Sequence, residues 1–397
     1  MNMSESGIPS GYRAAAVKAG IKASGNLDLA LVVSDRPRAA AGTFTLNRIA
    51  AAPVQWDRAR VPSASVRAIV VNAGNANAAT GAEGLADVER TARAVAQAVG
   101  CGVDEVLVAS TGVIGRRLPI EKLESGVRAA FERLEASPAA FEAASHAILT
   151  TDTRPKTVSL QAEIAGRPVR LFGFAKGAAM IGPRMATMLG FLFTDANVAP
   201  ADLQAALSEA VERSFNCISV EGHTSTNDTV LLLAGGDGPQ LAGDDLAAFA
   251  ALVDEACTKL ARMIPEDGEG ATHLITIDVV GARDREEART IARTVADSAL
   301  VKTAIHGADP NWGRIVSAAG YSGVPFEESE LSLELNGIPL YRDGVPLEVD
   351  LAAASASLRG SFETTILLTL RRGEGSIRFW TSDLTAEYVR LNADYTT

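Results

Sequence analysis

Thr187 can serve as a nucleophile that needs no histidine partner, provided the bond after Ala186 is broken. Cleavage there frees an α-amine with a pKa near ~7.7 to 8.0, so a useful fraction is unprotonated at neutral pH and can take the Oγ proton of its own residue. Thr187 also heads the apolar run Met188-Leu189-Gly190-Phe191-Leu192-Phe193, which reads as a buried strand able to hold that group rigidly. From residue types alone the plainer reading is a threonine of ordinary β propensity at the start of a strand. Other chemistries find less support. His146, His223, His273 and His306 are scattered, with neither HExxH nor a carboxylate-rich calcium loop, so no metal site is expected. There is no GxxxxGK followed by Ser or Thr, and Gly74 to Gly84 does not give GxGxxG, which argues against a nucleotide fold. A histidine-based triad would want a GxSxG-like strand-to-helix turn, and none occurs.

The elements that must position such chemistry alternate between strand-like and helix-like patterns, which predicts a mixed α and β fold. Leu85, Val88, Ala92, Val95 and Val99 share a helical face, as do Leu123, Val127 and Leu134, and Leu203, Leu207 and Val211. Val158, Leu160, Ala162 and Ile164 alternate up to Gly166 and then Val169 and Leu171, a predicted hairpin. A second hairpin is predicted from Leu331, Leu333 and Leu335 through Asn336-Gly337 to Ile338 and Leu340, since that dipeptide suits positive φ at both turn positions. Between these lie glycine-rich, polar stretches where function concentrates: 71–81, 109–115, 150–156, 176–189, 220–229, 267–272, 306–314 and 392–397.

At 397 residues, two domains or one large layered domain is expected. A composition of 47% hydrophobic and 21% charged residues belongs to an ordered globular protein. The net charge of -11 argues against nucleic acid as a partner. Cys101, Cys217 and Cys257 are odd in number and lack CxxC spacing, so they read as small hydrophobes and not as a disulfide framework. No signal-like start and no membrane-spanning apolar stretch is seen, so a soluble cytoplasmic protein is expected.

The segment Lys176-Gly177-Ala178-Ala179-Met180-Ile181-Gly182-Pro183-Arg184-Met185-Ala186-Thr187-Met188-Leu189 resembles the self-cleavage motif of the ornithine acetyltransferase family, the bifunctional glutamate N-acetyltransferases. Ser110 to Gly115, Thr150 to Thr153, Thr224 to Thr229, Asp267 to Gly270, Asp309 to Arg314 and the closing Asn392 to Thr397 resemble further family signatures in the same order. The resemblance spans essentially the whole chain and overturns the plainer reading of Thr187.

The resemblance implies a layered α/β fold of sheets flanked by helices, similar to N-terminal nucleophile enzymes. It implies self-cleavage between Ala186 and Thr187 into pieces 1–186 and 187–397 that build one catalytic unit, with two copies of each in a heterotetramer. Thr187 is then the nucleophile, Thr111 and Gly112 stabilise the oxyanion, and Thr153, Lys176, Thr187, Glu269, Asn392 and Thr397 bind substrate. Lys176 suits a substrate carboxylate and Glu269 an ammonium such as ornithine's δ-amine. The implied reaction moves acetyl from N-acetylornithine to glutamate through acetyl-Thr187 without a cofactor, in arginine biosynthesis. Some members also accept acetyl-CoA, an ability these motifs do not report. Ala178-Ala179, Arg184, His223 and His273 depart from the usual family pattern and bear on acceptor preference and donor range. Two alternatives remain: a related self-cleaving amidase or aminopeptidase that passes the acyl group to water, and a binding protein that stays intact.

Overall fold

The computed structural model describes residues 7–182 and 188–394. Its strands in chain order begin with β1 (Tyr12–Val17), β2 (Leu29–Phe44), β3 (Ser63–Asn75), β4 (Val106–Val113), β5 (Lys156–Ile164), β6 (Arg167–Lys176), β7 (Leu189–Thr194) and β8 (Ile218–Ser219). They continue with β9 (Thr229–Ala234), β10 (Leu274–Ala282), β11 (Ser332–Leu335), β12 (Ile338–Arg342), β13 (Val345–Pro346), β14 (Glu363–Thr369) and β15 (Gly375–Ser382). Two mixed sheets result. The first has the order β4-β3-β2-β9-β7-β6-β5 with β1 on β2, and the second the order β13-β12-β11-β14-β10-β15-β8.

The central strands of the first sheet are buried on both faces, so β7 and β9 are apolar at nearly every position, successive side chains pointing to opposite faces. Tyr12, Phe172, Phe174, Leu189, Phe191 and Phe193 point to one face, where helix Pro138–Ala147 covers them with Phe141. Edge-to-face contacts bind that layer, with Phe141 centred 5.4 Å from Phe172 and Tyr12 5.3 Å from Phe193. The alternate residues Leu29, Leu31, Val70 and Val108 meet helices Gly81–Val99 and Ile120–Phe131 on the opposite face. There too, Leu192 and Leu232 join a core that runs through helices Pro200–Arg213 and Gly243–Glu266 to Ile275, Ile277 and Phe379 of the second sheet.

The apolar run after Thr187 forms β7, every residue of which is buried between β6 (antiparallel) and β9 (parallel). Both predicted hairpins are present. The first turns at Ala165 and Gly166, with Leu160 opposite Leu171. The second turns at Asn336 (φ 50°) and Gly337 (φ 77°). Of the predicted helical stripes, Val88, Ala92, Val95, Leu123, Val127, Leu203, Leu207 and Val211 are buried. Leu85 is 40% exposed, and Leu134 lies past the end of its helix at Phe131. Cys217 and Cys257 are buried as small hydrophobes, while Cys101 is half-buried. Among the described residues, no helix is long and apolar enough to cross a membrane.

Candidate active site

Thr111 and Gly112 stand at the end of β4, which runs parallel to β3 with Thr111 beside Ala73 and Gly112 beside Gly74. Their pairing with β3 continues to this point, so both residues form a strand end. Glycine is required here. Gly112 has φ +129°, and a Cβ on it would lie 2.4 Å from the carbonyl carbon of Gly74 and 2.6 Å from Asn75 N. Asn227 ties the two strand ends together by donating from Nδ2 to Ala76 O (2.6 Å) and Ser110 O (2.8 Å). Ser110 Oγ in turn donates to Asn72 Oδ1 at 2.6 Å.

Thr111, Gly112, Lys176, Glu269 and Asn392 line one cleft of about 150 Å³, together with Asn227. Five segments far apart in sequence thus meet. Lys176 ends β6 with its side chain only 2% exposed, its Nζ 3.8 Å from Asp152 Oδ2. Burial lowers its pKa, reinforced by the Lys156 charge and opposed by Asp152, Asp228 and Glu269. Glu269 is placed by its own N–H donating to Ala178 O at 2.9 Å, and its Oε2 accepts from Asn392 Nδ2 at 2.8 Å. Asn392 rides on helix Ala386–Asp394, which docks where Thr385 Oγ1 donates to Gly270 O (2.8 Å) and Tyr388 N donates to Thr385 Oγ1 (3.1 Å).

Beneath the cleft lies an ion-pair network. Lys156 Nζ reaches Asp152 Oδ1 at 2.8 Å and Asp267 Oδ2 at 2.6 Å, all three side chains essentially inaccessible. Asp152 also accepts from Gly177 N (2.6 Å) and Thr150 N (3.1 Å). Burial pushes its carboxyl up, but the charges of Lys176 and Lys156 prevail and hold it at about 2. Asp228 is the other buried carboxyl at the site. It accepts from Met188 N at 3.0 Å through Oδ1, while Oδ2 has no hydrogen-bond partner among the described residues. Burial pushes it well above the usual carboxylate range, against the Met188 N–H and the Thr45 and Ser225 hydroxyls. The residue that follows Thr187 is therefore anchored at the site by a side chain of the Thr224 to Thr229 segment.

Thr153 is not on the cleft. Its hydroxyl and N–H both donate to Asp267, and it faces a separate hollow with Gly268 and Glu387. Ala186, Thr187, Thr397 and the departing residue Arg184 lie outside the described residues. Asp152, Lys156, Asp228 and Asp267 all fall inside the polar stretches 150–156, 220–229 and 267–272, yet nothing in the sequence gave any of them a role. His223 is exposed, whereas His273 and His306, scattered along the chain, both reach Asp383. A larger open groove of about 900 Å³ between Gly42 to Arg48 and Glu212 carries none of the expected residues. Size and chemistry disagree here, and the smaller cleft is the candidate site because charged and polar groups converge on it.

Residues 13–397 match the sequence pattern of the ArgJ family. The chain is 49% identical over 391 residues to "Arginine biosynthesis bifunctional protein ArgJ" of Thermus thermophilus, covering 98% of this chain and 99% of that protein. It is 46% identical over 395 residues to the protein of the same description from Rhodopirellula baltica, covering 98% and 96%. Among solved structures, the "Arginine biosynthesis bifunctional protein argJ" of Bacillus halodurans is 39% identical with a TM-score of 0.49, covering 52% of this chain and 98% of that one.

Proposed function

The chain belongs to the ArgJ family, and from that premise we propose that it is a glutamate N-acetyltransferase of arginine biosynthesis that works through acetyl-Thr187. The observation that carries the proposal is the convergence of Thr111, Gly112, Lys176, Glu269 and Asn392 on one cleft beside a Met188 held by Asp228. In this reading the precursor cuts itself between Ala186 and Thr187. The pieces stay together because β7, the first strand of the second piece, is paired on both sides within the first sheet.

Thr187 Oγ attacks the acetyl carbonyl of N-acetylornithine while its α-amine takes the hydroxyl proton. The negative charge that develops on the carbonyl oxygen is met by donors at Thr111 and Gly112, each worth ~2.7 to 4 kcal/mol of barrier if it resembles other oxyanion donors. Collapse breaks the C–N bond, the proton passes to the leaving amine, and ornithine departs. The neutral amine of glutamate then attacks the acetyl ester, gives up its proton to the α-amine, and releases N-acetylglutamate and free Thr187. Lys176, loosely paired at 3.8 Å, is suited to accept a substrate carboxylate as counter-ion. Glu269 takes the ammonium end, with Asn392 holding its carboxylate. Thr153 contributes by fixing Asp267 beneath Lys156, and Thr397 closes the cleft as the resemblance implies.

Nucleophile, base and oxyanion donors all come from the chain, so the chemistry calls for no cofactor. Acetyl-CoA as a second donor, a tetramer of two copies of each piece, and a cytoplasmic setting are the further parts of the proposal. The test supplies N-acetylornithine and glutamate to wild-type protein and to Thr187→Ala, and follows N-acetylglutamate and acetate by mass spectrometry. Wild type should yield N-acetylglutamate and the variant none. Acetate formed faster than N-acetylglutamate would instead identify the hydrolytic amidase or aminopeptidase.

A further inference from the structure

Two of the glycine-rich segments singled out in the sequence meet away from the cleft, where Thr272 and His273, just before β10, face His306 at the end of helix Ala299–His306. Between them stands Asp383, directly after β15, its side chain fully buried. His306 Nδ1 lies 3.0 Å and His273 Nδ1 3.4 Å from Asp383 Oδ2. Thr272 Oγ1 lies 3.0 Å from His273 Nδ1 and 3.2 Å from His306 Nδ1. We propose that His273, His306 and Asp383 form a binding site for one divalent transition-metal ion of the zinc class, with water at the fourth position.

The distances suit that ion. Ligand atoms each ~2.0 to 2.1 Å from a tetrahedral zinc stand roughly 3.3 Å apart, close to the 3.0 and 3.4 Å from Asp383 Oδ2 to the two imidazoles, and Oδ2 would exchange the hydrogen bond it accepts from Thr272 Oγ1 at 2.5 Å for the ion. The donor set also suits it: two imidazole nitrogens and one carboxylate oxygen favour zinc, cobalt and nickel over calcium or magnesium, which prefer oxygen shells. Asp383 is oriented for the task from behind. Its Oδ1 accepts from Thr272 N (2.8 Å) and His273 N (3.0 Å), which turns Oδ2 toward the two rings. The nearby cation Lys302 is taken up by Val220 O and Thr381 Oγ1.

The ligands belong to three separate elements. Asp383 and Thr272 also bracket the pieces that build one wall of the cleft, because Gly270 accepts from Thr385 at the head of the helix carrying Asn392. A bound ion would therefore brace that wall and add stability in proportion to its occupancy.

The test uses the untagged full chain, stripped with chelator and dialysed against zinc or cobalt at micromolar concentration. One ion per chain should be retained, cobalt should show the visible absorption of a tetrahedral site, and the melting temperature should rise with zinc. His306→Ala and His306→Gln, changes at a 42% exposed side chain, should each weaken binding at least tenfold and abolish the thermal shift, as should His273→Ala. The paired change of His146 and His223 to Ala, and Cys101→Ser, should keep the ion. Failure of wild type to retain either metal, or retention unchanged in all three variants of His273 and His306, overturns the site.

Discussion

Asp152→Asn removes the charge on which the buried network under the cleft depends, and its cost can be worked out from the contacts. The carboxylate accepts from Lys156 Nζ at 2.8 Å and from Gly177 N at 2.6 Å, and sits 3.8 Å from Lys176 Nζ, with no accessible side-chain surface. Its pKa of about 2 against 3.8 corresponds to about 2 kcal/mol of preference for the ionised form in the folded state. A depressed carboxyl pKa contributes stability that is fully present above about 3.8 and is lost as pH falls through about 2. Asparagine forfeits that term and strands Lys176 without its ion-pair partner, so the whole cost should match a broken buried pair, about 3 to 5 kcal/mol. With unfolding entropy of about 2.1 cal/mol/K per residue, the melting temperature should fall by roughly 4 to 6 °C at neutral pH. Calorimetry of both proteins across pH is the assay. The difference should be flat above about pH 4 and shrink below it. A shift under about 1 °C, or a difference that does not shrink in acid, refutes the reasoning.

Gly112→Ala would drive a Cβ to 2.4 Å from the backbone of Gly74, so in folded protein kcat should drop by about 10² to 10³ through displacement of an oxyanion donor, read from steady-state transfer. Asn392→Ala removes the 2.8 Å hydrogen bond to Glu269 and should raise KM for the amino-acid substrates roughly five- to tenfold, about 1 kcal/mol, with unfolding temperature unchanged. Glu221, its carboxylate buried, is pushed up to about 8 by burial and by Glu269, against the backbone N–H groups of Ile181 and His223 and the charge of Lys302. A raised carboxyl pKa contributes stability that is full below about 4.5 and lost as pH rises toward about 8. Glu221→Gln should therefore gain on wild type over that range in paired melting curves and level off above it.

Local chemistry was the part of the fold most legible in the sequence. Asn336-Gly337 specified its hairpin because both residues must take positive φ, and β7 was readable as an unbroken apolar run that needs burial on both faces. The helical stripes were right in their centres and wrong at Leu85 and Leu134, where the chain leaves the helix axis or turns a large side chain to solvent. Motif order brought Thr111, Gly112, Lys176, Glu269 and Asn392 onto one list before the fold brought them into one cleft. What spacing could not reveal were pairings made across the fold. Lys156 finds Asp267 at a separation of 111 residues, Asp228 finds the N–H of Met188, and Thr153 turns to Asp267 and away from the cleft. His273 and His306 carry no metal-ligand spacing either, since their shared partner Asp383 comes from a third element.

The central claim is that acetyl groups pass through Thr187, and intact mass spectrometry of the denatured protein after incubation with N-acetylornithine alone tests it most directly. Two pieces of about 19 and 22 kDa are expected, in proportion to the residues on either side of the bond before Thr187 in a chain of 41.3 kDa. An increment of about 42 Da, one acetyl group, should be confined to the larger piece and lost on adding glutamate. An intact chain that nonetheless transfers acetyl groups, or rapid transfer with no adduct on the piece beginning at Thr187, would contradict it.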